Sequence, residues 1–96
     1  MRVIWTEEAE VSFNQNISYL EEEWNESVIE NFLDKTDEVI MTISKHPLAY
    51  PLVDSKEGIH KCLVVRQVSL YYVVLEDRID LITFWNNYQD PKRLKL

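Results

Sequence analysis

Glycine and cysteine each occur once in 96 residues, as Gly58 and Cys62, and these two scarcities exclude most familiar site chemistry. A single glycine leaves no phosphate-cradling glycine loop. One cysteine allows no internal disulfide and no cysteine-rich zinc site. In an apolar-rich stretch, Cys62 reads as a small buried thiol rather than a reactive one. The two histidines, His46 and His60, stand fourteen residues apart, so no metal-ligand spacing is readable. Neither His-Glu-x-x-His nor a Gly-x-Ser-x-Gly nucleophile elbow occurs. No metal and no cofactor are therefore expected. Long apolar runs are missing too. Leu70–Leu75 is the longest, far below the ~20 residues that span a bilayer. Glu7 and Glu8 interrupt the start before any segment of signal length. The expectation is a soluble, cytoplasmic chain forming one domain over residues 1–96, since domains typically hold about 100–150 residues.

The net charge of −7 is unevenly spread. Residues 1–57 hold thirteen acidic and four basic side chains, whereas residues 58–96 hold four acidic and six basic ones. Tight autonomous binding of nucleic acid is disfavoured by the acidic half. The mildly basic second half still admits a local anionic ligand.

Residues 2–5 read as a short first strand. Thr6 is placed to cap a helix, with Glu7 and Glu8 where the helix dipole favours anions. Ala9, Phe13, Ile17, Leu20 and Trp24 recur at three- and four-residue spacing, one face of an amphipathic helix ending near Trp24. Asn25 caps a second helix starting by Ser27, with Val28, Ile29, Phe32, Leu33, Val39, Ile40 and Ile43 as its stripe and Pro47 as its stop. Three β-rich runs follow, Ile59–Arg66, Val68–Leu75 and Ile79–Trp85, which predict an antiparallel meander. Another short strand is admissible just before Asp54. The predicted fold is α+β, in the order β-α-α-β-β-β. A helical hairpin packs on one face of a mainly antiparallel four-stranded sheet, and the first strand lies antiparallel beside the last. Both alternating sets of Ile79–Trp85 are largely apolar, so that strand is expected to be buried on both sides.

Candidate chemistry gathers on and beside the meander. His60 and Lys61 lie at the start of its first strand, and Tyr88 follows its third. The start of the first strand and the end of the third are expected at the same end of the sheet, where these three would converge. Each also has an ordinary reading: a hydrogen-bonded strand histidine, a solvated lysine and a tyrosine packed over the sheet rim. Arg66, Asn87, Lys92 and Arg93 are the candidate contacts to RNA or another target, the last two on a basic arm after Pro91. The acidic run Glu21-Glu22-Glu23 is either a solvated helix end or a docking point for a basic partner.

Several residues in this order resemble the RelE/ParE family of bacterial toxins, also called plasmid stabilisation proteins. They are Trp5-Thr6 with Ala9, His46-Pro47, Gly58-Ile59-x-Lys61-Cys62, Leu70-Tyr71-Tyr72, and Phe84-Trp85-Asn86-Asn87-x-Gln89-Asp90-Pro91. The likeness runs over nearly the whole chain. It implies the toxin of a type II toxin–antitoxin module, bound by a cognate antitoxin as a hetero-oligomer or itself homodimeric. One branch of the family cleaves mRNA on the ribosome by metal-free acid/base chemistry, which here would fall to His60, Lys61 and Tyr88. The alternative is a non-enzymatic binding protein, either a ParE-type inhibitor of DNA gyrase or an inactive homologue that only engages its antitoxin. Family members usually carry arginines where this chain has His60 and Tyr88. Both departures remove fixed positive charge from the place where a phosphate would need it.

Overall fold

The computed structural model describes residues 1–96 as two helices packed on a five-stranded sheet. In chain order the elements are β1 (Arg2–Trp5), α1 (Glu7–Glu23), α2 (Glu26–Lys45), β2 (Leu52–Asp54), β3 (Ile59–Val65), β4 (Val68–Val74) and β5 (Arg78–Asn86), with a short 3-10 turn at Pro91–Arg93. No helix is long and apolar enough to cross a membrane.

Local chemistry fixes the helix ends as the sequence implies. The Thr6 hydroxyl accepts from Ala9 N at 3.1 Å and donates to Leu81 O at 2.6 Å. One side chain thus caps α1 and fastens it to the sheet. Asn25 Oδ1 accepts from Val28 N at 3.1 Å, starting α2 two residues after α1 stops. The helix turns back at once because Trp24 and Asn25 both hold extended backbone.

The strand order is β1-β5-β4-β3-β2. Two expectations about the sheet need correction. It has five strands rather than four, and β1 pairs with β5 in parallel, not antiparallel. Both corrections have one cause. Leu52–Asp54 forms a full turn of the meander against β3, and each added antiparallel strand reverses the direction of all that follow. With β2 counted, β5 runs the same way as β1.

The expected burial of Ile79–Trp85 on both faces also needs correction. Tyr71 pairs with Thr83 and Tyr72 with Leu81, so Ile82 is an extra residue, a β-bulge that shifts the two-residue alternation. Ile79 and Leu81 therefore face the helices together with Phe84, and all three are buried. Ile82 and Trp85 are left half-buried.

The core lies between the hairpin and this face. Leu20, Phe32, Val39 and Ile43 from the helices meet Cys62, Leu70, Tyr72, Leu81 and Phe84 from the sheet. Phe84 sits within 5.1–6.3 Å, centroid to centroid, of Trp5, Phe13 and Phe32. Such edge and offset contacts add to area burial.

β1 pairs only with Arg78–Leu81, so the second half of β5 would be an open edge. Helix α1 closes it. Phe84 N donates to Ser12 Oγ at 2.9 Å, and Asn16 Nδ2 donates to Phe84 O at 3.0 Å. Both polar side chains are buried on the helix. They satisfy backbone groups that would otherwise template pairing with another chain.

Candidate functional site

The structure separates the three residues expected to converge. His60 and Lys61 are neighbours on β3 and so point to opposite faces. His60 lies on the helix side, only 7% exposed, its ring stacked on Tyr72 at 5.1 Å. His60 Nδ1 is 2.9 Å from Tyr50 O. A carbonyl can only accept, so Nδ1 carries the hydrogen. Lys61 lies on the outer face with its ammonium 5.9 Å from the centroid of the Tyr71 ring. Tyr88 is at the far end of the sheet. His60 pairs with Tyr72 near the start of β3, whereas Asn86, two residues before Tyr88, pairs with Val68 beyond its end. The first strand of a meander starts at one end and the third finishes at the other. The expected convergence therefore fails on strand direction alone.

His60 belongs to a buried strap. Tyr72 Oη donates to Pro47 O at 2.9 Å, and with the His60–Tyr50 contact it ties the Pro47–Pro51 connector onto the sheet. Burial pushes the Tyr72 phenol up to about 12 and raises the Cys62 thiol above its ordinary value. For an acid that is neutral when protonated, a raised native pKa means the folded state keeps its proton longer than the unfolded one. The stabilisation is complete below the unfolded pKa, about 8.5 for Cys and 10 for Tyr, and is lost as pH climbs above it. Urea unfolding midpoints should thus hold steady near pH 7–8 and fall progressively between about pH 9 and 12. A flat alkaline profile would contradict the buried strap.

A different group of residues does come together. At the end of the sheet where the hairpin turns, the Arg66 guanidinium lies 5.4 Å from the centroid of the Trp24 ring. Tyr88 stacks on Trp24 at 6.2 Å and 19° between ring planes, and is 54% exposed. Asn87 fixes the loop that presents Tyr88. Its Nδ2 donates to Arg66 O at 3.1 Å, its Oδ1 accepts from Ser69 Oγ at 2.9 Å, and its backbone N donates to Gln67 O at 2.8 Å. Asn87 thus acts as a clasp between the β3–β4 turn and the closing loop. Asp90 Oδ1 caps the 3-10 turn by accepting from Lys92 N at 3.0 Å. Lys92 and Arg93 are both exposed, and Arg93 lies at the rim of a cavity that residues of α1 also line.

Trp24–Arg66–Tyr88 combines a cation, a phenol and an indole on one exposed surface, with Glu21, Glu22 and Glu23 in the preceding helical turn. Aromatic and arginine side chains of this kind anchor protein interfaces. Trp24 escaped notice as a site residue because its spacing places it in the helix stripe. The sequence carried no signal that would bring it to Arg66. No group of three or more His, Cys, Asp or Glu side chains is arranged to hold a metal ion.

Neither family models nor curated proteins give a match to this sequence. Solved structures do match its fold. A chain of the chromosomal ParDE toxin–antitoxin system from P. aeruginosa superimposes with a TM-score of 0.72 at 11% identity, covering 90% of this chain and 95% of that one. The YoeB/ParE toxin from Agrobacterium tumefaciens gives 0.62 at 15% identity, covering 92% and 100%. A chain of the heterotetrameric YoeB–YefM toxin–antitoxin complex from Staphylococcus aureus gives 0.61 at 14% identity, covering 92% and 98%. The chain thus shares the fold of these structures, here two helices on a mixed five-stranded sheet. The chain has the RelE/ParE-type toxin fold.

Proposed function

We propose that this protein is the toxin of a type II toxin–antitoxin module and that it acts by binding a protein target, as a ParE-type gyrase inhibitor does, rather than by cutting RNA. The observation that carries the choice is the dispersal of His60, Lys61 and Tyr88. Cleavage by the ribose 2′-hydroxyl requires a base, a cation and an acid around one phosphate. Here the imidazole is buried under the connector, the ammonium is on the opposite face, and the phenol is at the other end of the sheet. Trp24, Arg66 and Tyr88 instead form the anchor of a binding surface.

The cognate antitoxin would cover apolar surface that the hairpin leaves open. Leu52 and Val53 on β2 and Leu63 on β3 are each about half or more exposed, and β2 pairs only with the first residues of β3, which leaves the rest of that edge open. Since the helical half of the chain is strongly acidic, a basic stretch of the antitoxin beside Glu21-Glu22-Glu23 would speed association in a salt-dependent way.

Induced expression in bacteria tests the reading. Growth arrest with DNA-damage signalling and intact mRNA is expected, relieved by co-expression of the product of the neighbouring open reading frame. Tyr88→Ala and Arg66→Ala should each weaken target binding by roughly tenfold or more, as truncated interface anchors do. Arrest accompanied by fragmented mRNA would replace this reading with the nuclease. Absence of arrest would leave a homologue that only engages its antitoxin.

A further inference from the structure

The strap made by His60 and Tyr72 ties down a segment that itself buries very little. From Lys45 to Gly58 no residue is buried. Within Pro47–Asp54 only Tyr50 packs against the core. Segments with few buried apolar contacts open at lower free energy than the whole fold.

What holds this segment is polar and comes from the sheet. Three donors reach three of its carbonyls: Tyr72 Oη to Pro47 O at 2.9 Å, His60 Nδ1 to Tyr50 O at 2.9 Å, and Lys61 N to Pro51 O at 3.0 Å. β2 adds pairing with Ile59 and His60 alone. The prolines fix their own φ and hold His46 and Tyr50, the residues before them, out of helical backbone. The connector is thus stiff enough to move as one piece when those bonds break. Its ends are His46, where α2 stops, and Gly58, whose φ of 70° turns the chain into β3.

Two features of β3 lie under the segment. Tyr50 sits beside the Cys62 side chain, which is 1% exposed. β2 covers the first residues of the β3 edge, and a bulge between Leu63 and Val65 interrupts the remainder. With the segment lifted, all 7 residues of Ile59–Val65 present a free edge, the length of an ordinary strand.

We propose that Pro47–Asp54 is a gate that opens as one unit while both helices and the other four strands stay folded, uncovering Cys62 and the whole β3 edge. Closed, it guards an edge that would otherwise template pairing with another chain.

Cys62 is the only cysteine, so its alkylation by iodoacetamide, followed by mass spectrometry of the full chain across a urea series, reports the opening. Below the unfolding transition the rate should be nearly independent of urea, because opening the gate exposes little surface. A rate that climbs from the first urea addition with the full slope of global unfolding would overturn the gate. Tyr72→Phe keeps the ring but loses the donor to Pro47 O, and should speed alkylation without urea by roughly threefold to tenfold. Ile79→Val, on the buried face of β5, weakens the whole fold and should leave that rate unchanged. An unchanged rate in Tyr72→Phe, or a rise in Ile79→Val matching its lost stability, would also overturn the gate.

Hydrogen exchange supplies a second readout on the same strand. The Lys61 amide bonds to Pro51 O, so by alternation the Cys62 amide faces β4. Corrected for intrinsic rates, the Lys61 amide should exchange about tenfold or more faster than that of Cys62. Equal protection of the two would overturn independent opening. None of these readouts depends on growth arrest, so the gate and the toxin reading fail separately.

Discussion

Phe84→Ala should be the most damaging single substitution in this protein. The ring is 2% exposed and touches Trp5, Phe13 and Phe32, which arrive from β1, α1 and α2. Removing it leaves a cavity at the one point where the first strand, both helices and the last strand meet. Truncating a core phenylalanine costs about 3–5 kcal/mol, because the neighbours collapse only partly into the space. A domain of this size is stable by only about 5–15 kcal/mol. Each lost kcal/mol lowers the melting temperature by about 4–8 °C. Thermal unfolding followed by circular dichroism should therefore show a loss of about 15 °C or more. A loss below about 5 °C would mean that the aromatic cluster is not the keystone of the core.

His60→Ala should act on stability. The substitution leaves Tyr50 O without its partner and opens space against the Tyr72 ring. An unpaired, partly buried carbonyl costs about 1–3 kcal/mol, and the lost packing of the imidazole brings the total to about 2–4 kcal/mol. Under the proposed toxin role, the variant should lose growth arrest through lowered abundance, and lower temperature should restore part of it. A general base would behave otherwise. Its removal takes about 10²–10⁴ from the rate while the fold keeps its melting temperature. Measuring melting temperature and arrest on the same variant separates the two roles. An unchanged melting temperature with abolished arrest would return His60 to a reacting site.

Much of this architecture was legible in the chain. Ala9, Phe13, Ile17 and Leu20 recur on α1 with the helical period, as do Phe32, Val39 and Ile43 on α2, because each helix must show one face to the sheet. Thr6 and Asn25 cap where their short polar side chains can reach backbone N–H groups two or three residues on. These are local rules, satisfied within a few residues, and the structure keeps them apart from Leu33, which the stripe of α2 included and which is exposed. The RelE/ParE-type fold that the ordered motifs imply is the fold the chain has.

The candidate site was less legible, and each shortfall has a distance in it. Leu52–Asp54 is too short to declare itself a strand without β3 beside it. That one strand sets the direction of everything after it, including whether β1 and β5 run parallel. Ile82 is an ordinary strand residue in the sequence, and only pairing with Tyr71 and Tyr72 makes it a bulge that turns Phe84 inward. Ser12 and Asn16 look like breaks in an apolar stripe until the open half of β5 lies against them.

Composition and periodicity thus determined the helices and most of the strands, which depend on neighbours within about one turn or one strand, and the single glycine and cysteine excluded glycine-loop chemistry and an internal disulfide by count alone. Tertiary structure alone decided which side chains meet. It buried His60 under the connector, sent Lys61 to the other face, and brought Trp24, Arg66 and Tyr88 together from segments more than twenty residues apart. Proximity across that separation is set by strand direction and register, and a change of one strand or one residue in either reverses it.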